Sequence, residues 1–529
     1  MSAPARGIAA RSSVFLIALL LLTAALLLLW GHSRPLDQDE VFVLQTDSVA
    51  SLRQLVDVQR HTPISLDPLF FHALGHASTR IFGADAFAIR LPSLLGYLLM
   101  QVCLYLSGTL LGGATVGLVA AAVPAVTATL FYGMQARPYG VLLGLAALLL
   151  LSWQQATRAV DGPVRQPRGG SLLLLALSLG LALNTHYFAI LLLLPLYGAE
   201  LVRTAVRRRA QSRISPDWPV ILALAAGTAA VTLTLPFQHA AGEFRTHYYN
   251  AGQVGWHAVT QSYRALIINY TDYPLPLQRI LSVVLVLAAL LLLYLLLRRS
   301  TGAATTPKAE QTFLLLLAAL PICGFLLARL VTHSIEVRYV LPAILGIALM
   351  VALAAAQYLR PAAWIVLLLL IAFAGAERLR EQRIKTLALQ QQLLVTPELR
   401  SLLLTAPGRQ IFVQNLGYFD ESTPLLPDDV RSRMVLLYSR EQELHWLQHD
   451  TGALTVEHMR HFTFVPSARY EALARGGEAQ WMLLRPDGWE WLGSALRNDG
   501  ATVTPLLHTL GAELVEVRFP ASRTQGRLP

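Results

Sequence analysis

The sequence predicts an α-helical polytopic membrane protein of about eleven transmembrane helices, followed by a small extracytoplasmic α/β domain. Three observations carry that expectation. First, 54% of the 529 residues are hydrophobic and only 14% are charged, against about 25% charged in soluble domains. Mean hydropathy is +0.50. Second, the apolar residues are clumped, in runs such as 14–30, 171–183, 280–297 and 312–330, and a helix needs roughly 17–25 of them to cross the hydrocarbon. Third, basic clusters fall between the runs: Arg158, Arg165 and Arg168; Arg203, Arg207, Arg208, Arg209 and Arg213; Arg298, Arg299 and Lys308. Short loops of this kind mark the cytoplasmic side. The net charge of +10 therefore reports topology, and nucleic acid is excluded as a partner.

The spans follow in order from a cytoplasmic N-terminus. Span 1 leaves the membrane near Trp30. Arg6 and Arg11 before it give the charge order of a signal peptide, but Gly31-His32-Ser33-Arg34-Pro35 offers no small-x-small cleavage site, so the span reads as uncleaved. Residues 31–87 form a long outer loop. Span 2 covers about 88–110, Gly112-Gly113 turns the chain into span 3, and span 4 follows the outer turn 133–138. Span 5 rises to Asn184-Thr185-His186-Tyr187, and span 6 descends to the arginine-rich loop. Span 7 (218–237) opens a second outer loop, 238–277, rich in Tyr, His and Trp. Spans 8 to 11 end near 298, 333, 360 and 376. An odd count leaves the C-terminus outside.

The transmembrane domain is thus expected over 1–377 and the outer domain over 378–529. In the latter a charged helix (377–392) precedes strand-like runs at 410–414, 434–438, 462–465, 480–484 and 513–518, with a helix-like stretch at 490–497. Strands alternating with helices predict an α/β domain. It lacks a GxGxxG or Walker loop, so nucleotide binding has no support. Cys103 and Cys323 lie in apolar spans and support neither a disulfide framework nor a thiolate metal site.

Candidate chemistry begins at Leu36-Asp37-Gln38-Asp39-Glu40, just beyond Trp30. Carboxylates at such a depth are costly unless they meet water, a cation or a substrate; the bland alternative is a solvated acidic loop. Asp39 or Glu40 could serve as a general base, or Asp39 could ligate a divalent ion such as Mg or Mn through its hard oxygens. In an extended segment neighbours point to opposite sides, so one of the two would face a site. Arginines at outer span ends, Arg137, Arg245, Arg264 and Arg338, suit a phosphate, which the guanidinium fork can pair twice. Arg137 could instead snorkel, and Arg338 could pair with Glu336. Arg90 and Pro92 read as capping the start of span 2. His445 and His449, with His458 and His461, have a spacing that could hold zinc, but the Glu of an HExxH motif is absent.

Five short stretches carry a resemblance. They are Phe70-Phe71-His72-Ala73-Leu74; Ile81 to Ser93, with Arg90-Leu91-Pro92; Tyr132-Gly133-Met134-Gln135-Ala136-Arg137-Pro138-Tyr139; Leu183-Asn184-Thr185-His186-Tyr187-Phe188; and Arg338-Tyr339-Val340-Leu341-Pro342. In this order they resemble the C-type polyprenyl-phosphate-sugar glycosyltransferases (GT-C), including the protein mannosyltransferase and aminoarabinose transferase relatives, over roughly residues 10–360. The resemblance implies a GT-C-like fold and an outer-face catalytic centre at Asp39 and Glu40, with Asp39 expected as base or metal ligand and Glu40 as its support. It also implies a polyprenyl-phosphate-linked sugar as donor and a lipid, glycan or protein acceptor, with the sugar moved in one inverting displacement. Arg137, Tyr139, His186, Tyr187, Arg338 and Tyr339 become substrate- or phosphate-binding candidates. Gln135 departs from the Glu frequent in relatives. Leu66-Asp67-Pro68 replaces a cation-Pro-Pro stretch, which makes Asp67 and His61 candidates for an altered role. High Arg and Ala with little Lys suggest a GC-rich bacterium, hence an inner (plasma) membrane and a periplasmic C-terminal domain. The rival class is a transporter or flippase of a lipid-linked or anionic substrate. Transporters place ionisable groups near the midplane, and these spans are nearly free of charge inside.

Overall fold

The computed structural model describes residues 3–161, 166–211, 216–244, 255–267, 306–332, 335–358 and 408–520, the last with breaks at 424–425, 475–478, 485–489 and 509–512, plus isolated positions elsewhere. Spans 8 and 11, the charged helix 377–392, the centre of the second outer loop and Arg245 lie outside the described residues.

The first helix, α1 (Ala3–Ser33), is followed by three short helices where the sequence suggested an extended acidic loop: α2 (Gln38–Asp47), α3 (Leu52–His61) and α4 (Leu69–Phe82). The cause is local. Asp37 caps α2 through the Glu40 amide, and the Glu40 side chain reaches back to the Asp37 amide. This reciprocal box satisfies two of the donors that a helix start leaves orphaned. Ser51 and Asp85 cap α3 and α5 (Ala86–Gly112) in the same way, through single bonds. The next helices are α6 (Ala114–Ala125), α7 (Tyr139–Asp161), α8 (Gly169–Leu183), α9 (Leu193–Gln211) and α10 (Trp218–Ala229).

Among the described residues, five helical stretches are long and apolar enough to cross a membrane: Ser12–His32, Ala86–Gly112, Tyr139–Asp161, Tyr187–Arg209 and Trp218–Ala240. Lys308–Ala318 and Leu320–Leu330 form a sixth if counted together, bent by 56°. Three shorter apolar helices, Ala114–Ala125, Gly169–Leu183 and Ala343–Gln357, match spans 3, 5 and 10. Several spans change to 3-10 geometry at the end that carries α2: Ala128–Gly133, Tyr187–Leu192, Ala230–Phe237 and Val337–Val340. The tighter turn there brings residues that the sequence separates widely to one surface.

The core of the membrane part is set by close helix contact. A Cβ on Gly96 would lie 2.5 Å from the Gly140 carbonyl oxygen, one on Gly140 would lie 2.3 Å from that of Ser93, and one on Gly144 would lie 2.4 Å from that of Gly96. α5 and α7 therefore meet backbone to backbone, the use membranes make of small residues. At the opposite end several arginines of the basic loops are paired, not merely solvated. Arg203 binds Asp161 (2.6 Å), Glu200 (2.9 Å) and Asp217 (2.9 Å), Arg168 binds Asp217 (2.7 Å), and Arg158 binds Glu310 (2.6 Å).

The C-terminal part holds a six-stranded sheet in the order β3-β2-β1-β4-β6-β5. The strands are β1 (Ile411–Val413), β2 (Met434–Tyr438), β3 (Ser467–Arg469), β4 (Gln480–Leu484), β5 (Thr502–His508) and β6 (Glu513–Arg518). β1 to β4 are mutually parallel, and β6 and β5 add antiparallel. Four of the five expected strands occur. The run 462–465 is not a strand; the third strand starts at Ser467. The helix expected at 490–497 runs Leu492–Asn498, and β5, exposed along almost its whole length, lacks the buried alternation that would reveal it. The sheet docks on the first outer loop: Phe42 and Ile64 join the cluster of Ile411, Val413, Leu436 and Val456, and His458 Nδ1 lies 2.8 Å from the Pro63 carbonyl oxygen.

Candidate active site

The capping box decides how the two central acids are used. On α2 they stand about 100° apart and not on opposite sides of an extended chain. Glu40 is fully buried. Its carboxylate accepts from Arg90 Nε (2.9 Å) and Nη2 (2.6 Å), the Ala136 amide (2.8 Å), Arg34 Nη2 (3.2 Å) and the Asp37 amide (3.2 Å). An acceptor so fully engaged has no lone pair for a proton from substrate. Glu40 is bound into the structure on every side, which leaves Asp39 as the acid of the pair open to a ligand. Arg90, read from sequence as a span cap, is the clamp that ties α5 to α2 through the Glu40 carboxylate.

Asp39 is different. Its side chain is 40% exposed and faces two guanidinium groups, Arg137 Nε at 3.8 Å and Arg338 Nη1 at 3.9 Å. Both distances exceed hydrogen-bond length. Arg137 Nε and Arg338 Nε are buried and have no hydrogen-bond acceptor among the described residues. Arg137 is held from behind by Asp67, whose Oδ2 is 3.3 Å from Nη2 and also accepts from Ser65. Asp67, a departure from the resembled pattern, thus orients an arginine. Burial opposes the charge on Arg137, but Asp39 and Asp67 beside it prevail and hold it protonated. Arg338 is likewise kept charged against its burial, by Tyr139, Tyr339 and Asp39.

An aromatic wall backs the arginines. His186 lies 5.5 Å from the rings of both Tyr139 and Tyr339, and Phe188 stacks on Tyr339 at 4.1 Å. The sequence named Tyr187 as a substrate- or phosphate-binding candidate; the residue that stacks in this wall is its neighbour Phe188, an apolar residue with no chemical signal. Burial, with a further push from Arg137 and Arg338, lowers the His186 pKa to about 4, against the attraction of Asp67. The ring is neutral near pH 7. Its Nδ1 accepts from the Phe188 amide (3.2 Å), which leaves Nε2 as a donor.

His61 does not join the cluster. It is exposed at the end of α3 and pairs with Asp57 (3.1 Å). Gln135, where relatives often carry Glu, donates from Nε2 to Asp37 (3.2 Å), a bond a carboxylate could not make. A divalent ion at Asp39 is not supported by the donor set: its close neighbours are guanidinium groups. Among the described residues no group of three His, Cys, Asp or Glu side chains gathers to hold a metal, the tail histidines included. Hard cations take several oxygen ligands.

Asp39 and Arg137 open on a cavity of about 470 Å³ between the first outer loop and the sheet, lined on the far side by Gln414, Leu436, Leu437, Tyr438, Glu443 and Thr455 among others. Sequence reasoning assigned no particular tail residue to such a wall, because a cavity wall built by distant strands leaves no local pattern.

The sequence model of the family described as "Dolichyl-phosphate-mannose-protein mannosyltransferase" matches residues 67–234. That segment holds the first four of the five resembling stretches. A comparison with curated proteins yields no match. Among similar solved structures is ArnT from Cupriavidus metallidurans in the apo state, at 13% identity and a TM-score of 0.44, covering 96% of this chain and 98% of that one. The same protein bound to undecaprenyl phosphate gives 13%, 0.44, 94% and 97%. The oligosaccharyltransferase AglB from Archaeoglobus fulgidus, in complex with an inhibitory peptide and a dolichol-phosphate, gives 10%, 0.39, 89% and 69%.

Proposed function

We propose, for a chain whose residues 67–234 match the dolichyl-phosphate-mannose-protein mannosyltransferase family, that it transfers a sugar from a polyprenyl-phosphate donor to an acceptor hydroxyl. The reaction takes place at the membrane face that carries α2, the outer, periplasmic side on the reading of the basic loops. The observation that carries this is the pair of buried Nε groups of Arg137 and Arg338, without an acceptor among the described residues, beside the exposed carboxylate of Asp39. Buried donors without acceptors are rare and call for a partner. A phosphate with its several oxygens suits two converging guanidinium groups.

The step is a single in-line displacement. The acceptor hydroxyl gives its proton to an Asp39 oxygen as its own oxygen bonds to the anomeric carbon. The bond from that carbon to the lipid phosphate breaks, and its electron pair stays on the phosphate oxygen, where Arg137 and Arg338 meet the growing charge. Attack opposite the leaving group inverts the anomeric centre. The phosphate is already a good leaving group, so a general acid is not needed, which fits the neutral His186. Two fixed cations do the electrostatic work, so a divalent ion is not required.

The test is sugar transfer from a synthetic polyprenyl-phosphate sugar by purified protein, with and without EDTA, beside Arg338→Gln. A lost charged hydrogen bond is worth about 1.5–3 kcal/mol, so the variant is expected to raise the donor KM by roughly 10- to 100-fold. EDTA is expected to leave turnover intact. Absence of turnover across a panel of donors, with the lipid moved across vesicles instead, would favour a flippase.

A further inference from the structure

The cavity has two unlike halves. The catalytic half carries the cation Arg137 together with Asp39 and Gln38; the other half is built by the C-terminal domain. That second half lies where β1 and β2 end. Gln414 to Gly417 follow β1 directly, Leu436 to Tyr438 close β2, and Thr451, Gly452, Thr455 and Val456 come from the first turns of the helix Thr451–Met459. β2 and β4 flank β1 on its two sides, and the chain runs from β1 through β2 to β3 in one direction before returning to β4 on the other. The carboxyl end of β1 is therefore a topological switch point, where open parallel sheets bind small ligands.

Three features of this half define what would fit. Gln414 is 8% exposed, and its Oε1 has no hydrogen-bond partner among the described residues; a buried amide oxygen of this kind awaits a donor. Glu443 adds a carboxyl group to the same wall, and of the described residues lining the cavity Arg137 is the one Lys or Arg, at the opposite end. A ligand there meets hydrogen-bond acceptors and no fixed cation. The remaining surface mixes the apolar and aromatic side chains of Phe42, Phe244, Tyr438 and Leu437 with the polar ones of Asn415, His449, Thr451 and Thr455. The volume of about 470 Å³ falls in the range of roughly 300–1,000 Å³ typical of small-molecule sites.

We infer that the strand-end half of this cavity is the acceptor site, and that it takes a neutral, hydroxyl-bearing carbohydrate. The inference rests on the transferase reading for its role, and on the cavity alone for its ligand. A sugar hydroxyl donates to Gln414 Oε1 while the apolar faces of its ring pack on the aromatic side chains, and the next hydroxyl along reaches Asp39. A phosphorylated acceptor would find no counter-charge beside Gln414 and Glu443. An extended peptide would find no open strand to pair with, because β1 and β2 are both interior to the sheet.

Gln414→Met separates this site from a structural role. Met has nearly the same shape and removes an oxygen that has no partner within the described protein, so the melting temperature is expected to hold or rise. Binding of a neutral disaccharide to the full-length protein, followed by calorimetry, is expected to weaken about 10-fold, as for one lost hydrogen bond. In transfer assays offering the disaccharide, a phosphorylated glycolipid or a Ser/Thr peptide, the wild type is expected to label the disaccharide, and the variant to raise its KM with kcat little changed. Labelling of the glycolipid or the peptide alone would overturn the inference, as would disaccharide binding indifferent to Gln414→Met. Gln414-dependent binding without donor turnover would keep the site and remove the transferase reading; turnover without disaccharide binding would do the reverse.

Discussion

Asp39 and Glu40 are one position apart, and about 100° of helix sends the first toward two free guanidinium edges and the second into five hydrogen bonds. The acidic stretch was legible in the sequence as the place to look. How Glu40 supports Asp39 was not, because the answer depends on Arg90, fifty residues away, and on the amide of Ala136. Asp67 and Gln135 show the same limit: as letters they depart from a pattern, and only their partners, Arg137 and Asp37, give them meaning. At this scale Glu443 makes a pH prediction. Burial above all pushes its carboxyl from 4.5 to about 7, against the pull of the Ala453 amide. The fold thus favours the neutral acid. Stability from this group is fully present below about pH 4.5 and is lost as pH rises toward 7. The loss is of order 2–4 kcal/mol, since each pKa unit is worth about 1.4 kcal/mol. Glu443→Gln should flatten the fall of melting temperature between pH 5 and pH 8; parallel curves for variant and wild type would refute the assignment.

Elements were easier to read than residues, for a physical reason. A span must be long, apolar and helical because the bilayer offers its backbone no partner, so 14–30, 88–110 and 139–156 were visible from hydropathy alone. The 3-10 ends of the spans were not, since they arise where chain ends crowd around the site. Of the three helices of the first outer loop, α2 and α3 carry side-chain caps, Asp37 with Glu40 and Ser51, whereas α4 starts after Pro68 with none. α7 transmits this geometry. Gly140 sits three residues after Arg137, against the Ser93 carbonyl, and Ser93 Oγ in turn donates to the Arg137 carbonyl oxygen (2.6 Å). A Val at position 140 has no room, and α7 must move away from α5. Gly140→Val is therefore expected to cost more than about 2 kcal/mol of stability and to cut turnover even where folded protein is recovered. Unchanged thermal stability together with full activity would show that the contact does not position Arg137.

The whole molecule is a helical membrane body with a sheet domain closing over its functional end. The parallel strands were readable from sequence as an α/β pattern, whereas their docking was not: Phe42 and Ile64 look like ordinary loop apolars until they are seen in the sheet's own core with Val413 and Leu436. That shared core keeps one wall of the cavity in register with the other. It also sets the half that holds Arg137 against the half that holds Gln414 and Glu443. The central claim is that Asp39 removes the acceptor proton. The direct measurement is the turnover of a polyprenyl-phosphate sugar by purified Asp39→Asn, with its melting temperature recorded alongside. Loss of a general base costs roughly 10²- to 10⁴-fold, and the account predicts that loss in kcat at an unchanged melting temperature, since the exposed Asp39 is within hydrogen-bond distance of neither arginine. Turnover within a few-fold of wild type would contradict it.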